Sequence, residues 1–241
     1  MKRIVLFLLP LFLISCSQSK MLLKSLNNYQ APLNYLYDSK KQDGSKPVTT
    51  IAVERFDNNA LDSVTSVAKI NHKILPFIIY TYTELNFSVK LGQSSLDENY
   101  AGFFTKSFAE ESQRTGCYAL TENIDQSEYT IEFALDSCSV NSKYQRNTTV
   151  LFFLFAYSMY FQEIGSPAQT DLVMNVKLKK KGELVFEKKY SIHKIQPFIT
   201  RKTLTIDALR ADFITNMAES LSLSTKDCIE SIIADINQSI K

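Results

Sequence analysis

The sequence predicts an α+β fold in which an antiparallel-rich mixed sheet is flanked by helices and the chain ends in helix. Three observations support this prediction: several segments place apolar residues at every second position, one internal segment places them three and four residues apart, and so does the C-terminus. The chain has 241 residues, of which 45% are hydrophobic and 22% charged. This composition is typical of a globular protein and excludes collagen-like, low-complexity and wholly disordered chains.

The first half of the chain begins with strands. Residues 48–56 are rich in β-branched residues and roughly alternate, which predicts a strand, and residues 57–73 are predicted to form a polar loop or short helix. Residues 75–91 follow, and their second half alternates cleanly between apolar and polar side chains. This pattern is typical of a half-buried antiparallel strand.

A helix is predicted over residues 96–115. Ser95 and Glu98 have the spacing of a capping box, in which each side chain binds a free backbone N–H of the first turn. Gly116 stands where a glycine commonly ends a helix. The apolar positions on one face, which indicate packing on a sheet, are Tyr100, Phe103, Phe104 and Phe108.

Further strands and helices complete the prediction. Short and long strands are expected over residues 117–121 and 129–139, and a hairpin over residues 172–192 turns at Lys180-Lys181-Gly182-Glu183. Two C-terminal helices are expected, one striped from Ile206 to Leu221 and one capped by Ser224 and extending to residue 240.

Residues 150–161, VLFFLFAYSMYF, are the most apolar stretch after the N-terminus, and at twelve residues they are too short to span a bilayer as a helix. One interpretation is a core element beneath the sheet, either a helix or a strand buried on both faces. The other is an exposed element that contacts a partner protein or lipid. The candidate contact residues are Phe152, Phe155, Tyr157, Tyr160 and Phe161.

The N-terminus has the pattern of a lipoprotein signal peptide. Lys2 and Arg3 precede an apolar run of eleven residues, about half of what a membrane-spanning helix needs. Leu13-Ile14-Ser15-Cys16 resembles the lipobox of bacterial lipoproteins, which implies cleavage after residue 15 and lipidation of Cys16. Because Ser17 rather than Asp follows, the expected location is the outer membrane, on its periplasmic face. The predicted organisation is therefore a signal peptide over 1–15, a tether over 16–47 whose apolar residues can fold back, and one domain over 48–241.

Three cysteines remain after cleavage, in an oxidising compartment. If residues 117–139 form a hairpin, Cys117 and Cys138 lie nearly opposite each other, so they either form a disulfide or remain two buried thiols. Cys228 is expected in the core. Asp62-Ser63-Val64 resembles the O-glycosylation pattern of Bacteroidetes, which makes Ser63 a candidate glycosylation site.

No catalytic, cofactor-binding or metal-binding motif is recognisable in the sequence, so we expect no cofactor and no metal. Lys+Arg number 27 and Asp+Glu 25, and without Lys2 and Arg3 the balance is 25 against 25, which argues against a nucleic-acid partner. The lysines of the hairpin over 172–192 are expected to form a solvated face, although attraction to anionic lipid or an acidic partner is an alternative.

The order of the elements resembles a family of small envelope lipoproteins, namely the auxiliary lipoproteins of ABC-type transporters and the curli-secretion lipoproteins. The segments with this resemblance are residues 50–53 with Phe56, 103–116 leading into 118–120, 128–131, and 164–167. The resemblance implies a non-catalytic module that binds an envelope protein partner while a lipid anchor holds it to the membrane. The alternatives are a lipid-binding or lipid-transport component and an enzyme without a recognisable motif. The oligomeric state is left open.

Overall fold

The computed structural model describes residues 24, 26, 28–37, 49–58, 67–75, 79–153, 156–199 and 205–240, with the backbone alone at 58, 67–75, 79, 81, 152, 153, 156 and 157. This part of the chain contains eight strands and two α-helices. The strands are β1 (Thr49–Asn58), β2 (Val67–Leu75), β3 (Ile79–Lys90), β4 (Tyr118–Thr121), β5 (Tyr129–Phe153), β6 (Ala156–Gly165), β7 (Ala168–Lys180) and β8 (Glu183–Gln196). The helices are α1 (Tyr100–Thr115) and α2 (Ile206–Ser239).

All eight strands belong to one mixed sheet organised around β5, which is 25 residues long. Along its first half, β5 pairs with β1 in parallel and with β7 antiparallel. Along its second half, it pairs antiparallel with β3 on one side and with β6 on the other. One half of the sheet thus has the order β4-β1-β5-β7-β8, and the other half, which we call the extension, has the order β2-β3-β5-β6.

The core lies between one face of this sheet and the two helices. Side chains along β7 alternate between buried and partly exposed, because every second residue faces the helices. Phe104 and Phe108 of α1 meet the ring of Phe133 on β5 edge-on, with centroid distances of 5.2 and 5.0 Å. The α+β class, the mixed sheet and the helical C-terminus are therefore confirmed.

The helix α1 begins four residues later than predicted. Asn99 is the N-cap, and its side-chain oxygen accepts a hydrogen bond from the backbone N–H of Ala101 at 2.8 Å. Ser95 instead ends a short 3-10 turn, so the predicted capping box is wrong. Gly116 does follow the helix, and a Cβ there would lie 2.5 Å from the carbonyl oxygen of Ser112, which explains why a glycine is needed.

The two predicted C-terminal helices are one continuous helix of 34 residues. Ser224 was predicted to cap a new helix, but its hydroxyl is buried and donates to the carbonyl of Ser220 at 2.9 Å, and Thr225 donates likewise to Leu221 at 2.8 Å. Serine and threonine can satisfy their hydroxyls in this way inside a helix. A capping residue in the sequence therefore does not require a break.

Two segments outside the predicted strands and helices belong to the fold. Part of the predicted loop over 57–73 forms β2, which pairs with β3. Leu26 and Leu33, from the predicted tether, are buried, and Ala31 forms a parallel bridge to Leu96. The apolar residues that precede residue 48 therefore do fold back, and the domain extends at least to Leu26.

Of the two alternatives for Cys117 and Cys138, the disulfide is excluded, because both are free thiols, and the alternative of two buried thiols holds for Cys138 alone. The expected hairpin does not form: β1 lies between β4 and β5 and pairs with both in parallel. Cys138 lies more than eight residues further along the strand direction than Cys117, a separation of roughly 30 Å or more. Cys117 is exposed, whereas Cys138 and, as predicted, Cys228 are buried.

Thiol titration tests this arrangement. In a Cys16→Ala protein at pH 8, a disulfide-exchange reagent should react quickly with Cys117. It should react with Cys138 and Cys228 only after unfolding, because burial raises the pKa of both thiols to about 12. The Cys117→Ser variant, as the control, should lose the fast phase alone. A single reactive thiol in the unfolded, unreduced protein would contradict the structure.

Candidate functional site

The described residues of the apolar segment over 150–161 form strand, and their exposed side chains exclude a strand buried on both faces. Its first part ends β5 and its second part begins β6, so it forms the outer end of the β5–β6 hairpin. The side chains of Leu151 and Met159 are partly exposed and that of Tyr160 is 64% exposed. The core interpretation is therefore wrong for these residues.

The predicted contact residues differ in their exposure, and only some of them are described by the structure. Tyr160 is exposed and Phe161 is half-buried on the opposite face of β6, the face that also carries the core residues of the sheet. Phe155 and the side chains of Phe152 and Tyr157 lie outside the described residues. Cys16 and Ser63 lie outside them as well.

The strand β6 lies at an edge of the sheet. Within the described part of the chain it pairs with β5 alone. Its ten residues, AYSMYFQEIG, contain no lysine, arginine or proline. These are the residues that commonly protect an exposed edge from pairing with another chain, so β6 lacks the usual protection.

The hairpin of β7 and β8 is different, because its lysines are paired with acids. Five of the six lysines predicted to form a basic face make ion pairs within the sheet or with α2. The pairs are Lys177–Glu187, Lys179–Glu132, Lys180–Glu128, Lys188–Asp235 and Lys189–Asp136. The lysines of the hairpin are thus largely exposed, as predicted, and most of their charge is paired with acids.

A buried cluster of charges, which we call the ion cluster, lies at the base of β6. The side chain of Glu163 has 0% exposure. Arg210 of α2 binds both oxygens of its carboxylate, with 3.0 Å from Nε to Oε2 and 2.7 Å from Nη2 to Oε1, and the hydroxyl of Tyr144 donates to Oε2. Arg146 of β5 approaches Oε1 at 3.6 Å, and its guanidinium lies over the ring of Phe161, 4.6 Å from the centroid.

The electrostatics of the ion cluster follow from its burial. Burial and the hydrogen bond to Glu163 both raise the pKa of Tyr144. Burial lowers the pKa of Arg146, and the charge of Glu163 opposes this shift. Burial also acts to lower the pKa of Arg210, but the hydrogen bonds and charges of Glu163 and Tyr144 together outweigh it, and the pKa is raised. The side chains of Tyr144, Arg146 and Arg210 thus all depend on the carboxylate of Glu163.

Sequence reasoning missed the ion cluster because its members are far apart in the chain. The available signal is local: Glu163 and Arg146 occupy strand positions on the face where apolar residues are otherwise found. A charged residue at such a position is seldom buried without a partner.

Other chemistry is sparse. Among the described residues, no three His, Cys, Asp or Glu side chains lie close enough to hold a metal ion. His193 is exposed, as expected, and its Nδ1 lies 2.6 Å from Asp171. In the same part of the chain, no helix is both long and apolar enough to cross a membrane.

Comparisons with known proteins identify no family. No family model matches the chain, and no curated protein matches it. One similar solved structure is the crystal structure of a Xanthomonas campestris protein of the family DUF330, which is 11% identical in sequence, with a TM-score of 0.42. The match covers 86% of this chain and 96% of that protein.

The ion cluster predicts an unequal response to the loss of two glutamates. Glu163→Gln should lower the free energy of unfolding by roughly 3–5 kcal/mol, because it leaves two buried arginines without their anion. Glu187→Gln, at the exposed pair with Lys177, should change it by less than about 1 kcal/mol. Urea unfolding measures both, and similar losses in the two variants would contradict the assigned burial.

Proposed function

We propose that the protein is an outer-membrane lipoprotein that faces the periplasm and acts as a non-catalytic binding and assembly module of an envelope complex. The observation that supports this proposal most directly is the unprotected edge of β6. A protein partner that adds a strand to this edge would form backbone hydrogen bonds along it, a common mode of recognition.

The side chains beside this edge suit a protein interface. Met159, Tyr160 and Ile164 are exposed on β6, and Leu151 is exposed on its neighbour β5. Tyrosine and methionine are enriched at protein interfaces, and tyrosine often contributes a large share of the binding energy. The partner we propose is therefore a protein with an extended apolar segment, and not a charged surface.

The N-terminal segment supports anchoring close to the membrane. Leu26 is buried, and the backbone N–H of Asn34 donates to the hydroxyl of Ser222 on α2 at 3.1 Å. Ten residues separate Cys16 from Leu26, and a fully extended chain of this length spans at most about 36 Å. A lipidated Cys16 would thus hold the domain near the bilayer surface.

Metabolic labelling tests the anchor. Labelled palmitate fed to growing cells should appear in the wild-type protein and not in Cys16→Ala, because the thiol is the site of acylation in the proposal. Cys117→Ser, which alters the exposed thiol of the domain, serves as the control and should be labelled normally. Equal labelling of Cys16→Ala and wild type would refute lipidation at Cys16.

Substitution of Tyr160 tests the interface. Because this side chain is 64% exposed, Tyr160→Asp should leave the Tm close to that of the wild type while abolishing the crosslinked complex recovered from intact cells. Ile195→Asp, on β8 with 61% exposure, is a matched control and should keep the complex. A complex that survives Tyr160→Asp, or is lost equally in both variants, would count against an interface on β6.

A further inference from the structure

The ion cluster contains a surplus of positive charge. The carboxylate of Glu163 already accepts two hydrogen bonds from Arg210 and one from Tyr144. Arg146 is left with a contact of 3.6 Å, longer than a hydrogen bond, although its side chain is only 13% exposed. Arg210 also contacts Asp207, whose side chain is 78% exposed. Among the described residues, the ion cluster itself contains two cations, Arg146 and Arg210, and one anion, Glu163.

The donors of Arg146 are not all used. Its Nε is buried and faces Oε1 of Glu163 at 3.6 Å, beyond hydrogen-bond distance, and the guanidinium makes no hydrogen bond to the residues that the structure describes. A guanidinium has five N–H donors and no acceptor, so only an acceptor can satisfy it. Buried polar groups in folded proteins are nearly always paired, so this guanidinium indicates a missing acceptor.

A second unsatisfied group lies beside the first. Thr148 follows Arg146 by two residues on the same face of β5, and it is the register partner of Phe161, over whose ring the Arg146 guanidinium lies. Thr148 is only 6% exposed, and its hydroxyl has no hydrogen-bond partner within the described ranges. A guanidinium and a hydroxyl thus border the same aromatic ring, and both lack an acceptor.

We propose that Arg146 and Thr148 form a binding site for a phosphate group, with Phe161 as its apolar floor and Glu163 and Arg210 as the residues that position Arg146. The planar guanidinium can bind two phosphate oxygens side by side, and the hydroxyl can donate to a third. A phosphate gives acceptors to the hydroxyl of Thr148 and to the N–H groups of Arg146 other than Nε, which faces Glu163, and it balances the second cation of the ion cluster.

The source of the phosphate is either a lipid headgroup or a soluble molecule. Tyr29 lies close to the ion cluster. Burial is the largest cause of its raised pKa, and the nearby charges of Asp207, Arg210 and Glu163 also influence this pKa. Tyr29, which follows Cys16 by thirteen residues, therefore lies near the site. If Cys16 is lipidated as proposed above, this proximity favours a phospholipid, whereas the site itself does not depend on the anchor.

Calorimetric titration of the full chain in detergent micelles, at constant ionic strength, tests the proposal. The three probes are inorganic phosphate, a short-chain phosphatidic acid and the matched diacylglycerol without phosphate. The wild type should bind the first two saturably and the third weakly or not at all. Tighter binding of the phosphatidic acid assigns a lipid source, and equal binding of the two assigns a soluble one. Diacylglycerol that binds as tightly as phosphatidic acid would overturn the proposal.

Two variants and a control attribute binding to the site. Arg146→Gln and Thr148→Val should each weaken phosphate binding, the former by about tenfold or more, as expected for the loss of a hydrogen bond to a charged group. Arg114→Gln is the matched control, because Arg114 lies over the ring of Tyr37 at 4.4 Å but is exposed, and it should bind as the wild type does. Thr148→Val preserves the side-chain shape. If Arg146→Gln does not fold, the phosphate affinity of Thr148→Val alone therefore tests the site. Unchanged binding in folded Arg146→Gln, or no saturable binding of either phosphate probe, would overturn the site.

Discussion

The fold depends on the continuity of β5 through residues 129–153. On one side β1 pairs with β5 as far as Leu135, and β3 pairs with it from Asn141 onwards. On the other side β7 pairs as far as Asn141, and β6 from Tyr144. Both edges of β5 thus change neighbours over a short stretch, and its backbone is the only strand shared by the helix-covered half of the described sheet and its extension. The β-bulge between Leu135 and Ser137 adjusts the register before this change, so that Cys138 and Val140 still face the core.

The ion cluster lies in the second half of β5, just beyond the point at which β5 changes neighbours. The rows of side chains around Tyr144 are covered by α2, whose first turns begin at Ile206, and Phe213 meets the ring of Tyr144 edge-on at 4.9 Å. The next row of side chains contains Arg146 and Glu163. Here the ion pair of Glu163 with Arg210 replaces apolar packing between β6 and α2. Burying such a pair costs desolvation energy, so it contributes little net stability compared with apolar side chains of similar volume. Its geometric requirement is strict, however, because Arg210 must meet both carboxylate oxygens, and this fixes the position of β6 relative to α2.

The parts of the fold that sequence reasoning recovered are those in which one residue pattern determines one structure. Alternation over residues 129–135 and the turn at Lys181 and Gly182, whose φ angles of 48° and 87° are both positive, are examples. The second half of β5 was missed because Ser142, Arg146 and Thr148 occupy its core face and hide the apolar period. The apolar segment that follows contains no glycine, proline or asparagine to indicate its turn, and a short apolar run alone does not distinguish helix from strand. The candidate phosphate site could not be predicted, since its partners come together only through the pairing of β5 with β6 and the packing of α2.

The edge strands β8 and β6 differ in their charges. This difference illustrates how one sheet can favour one edge for assembly. On β8, Lys188 and Lys194 bind Asp235 and Asp227 of α2, so pairing with another chain at this edge would have to accommodate fixed charges. On β6, the one charged side chain is turned inward and bound by Arg210. The ion pair that buries Glu163 therefore also keeps the one charge of β6 away from the solvent-exposed side of this edge. The positioning of β6 and its availability to a partner consequently have the same physical origin.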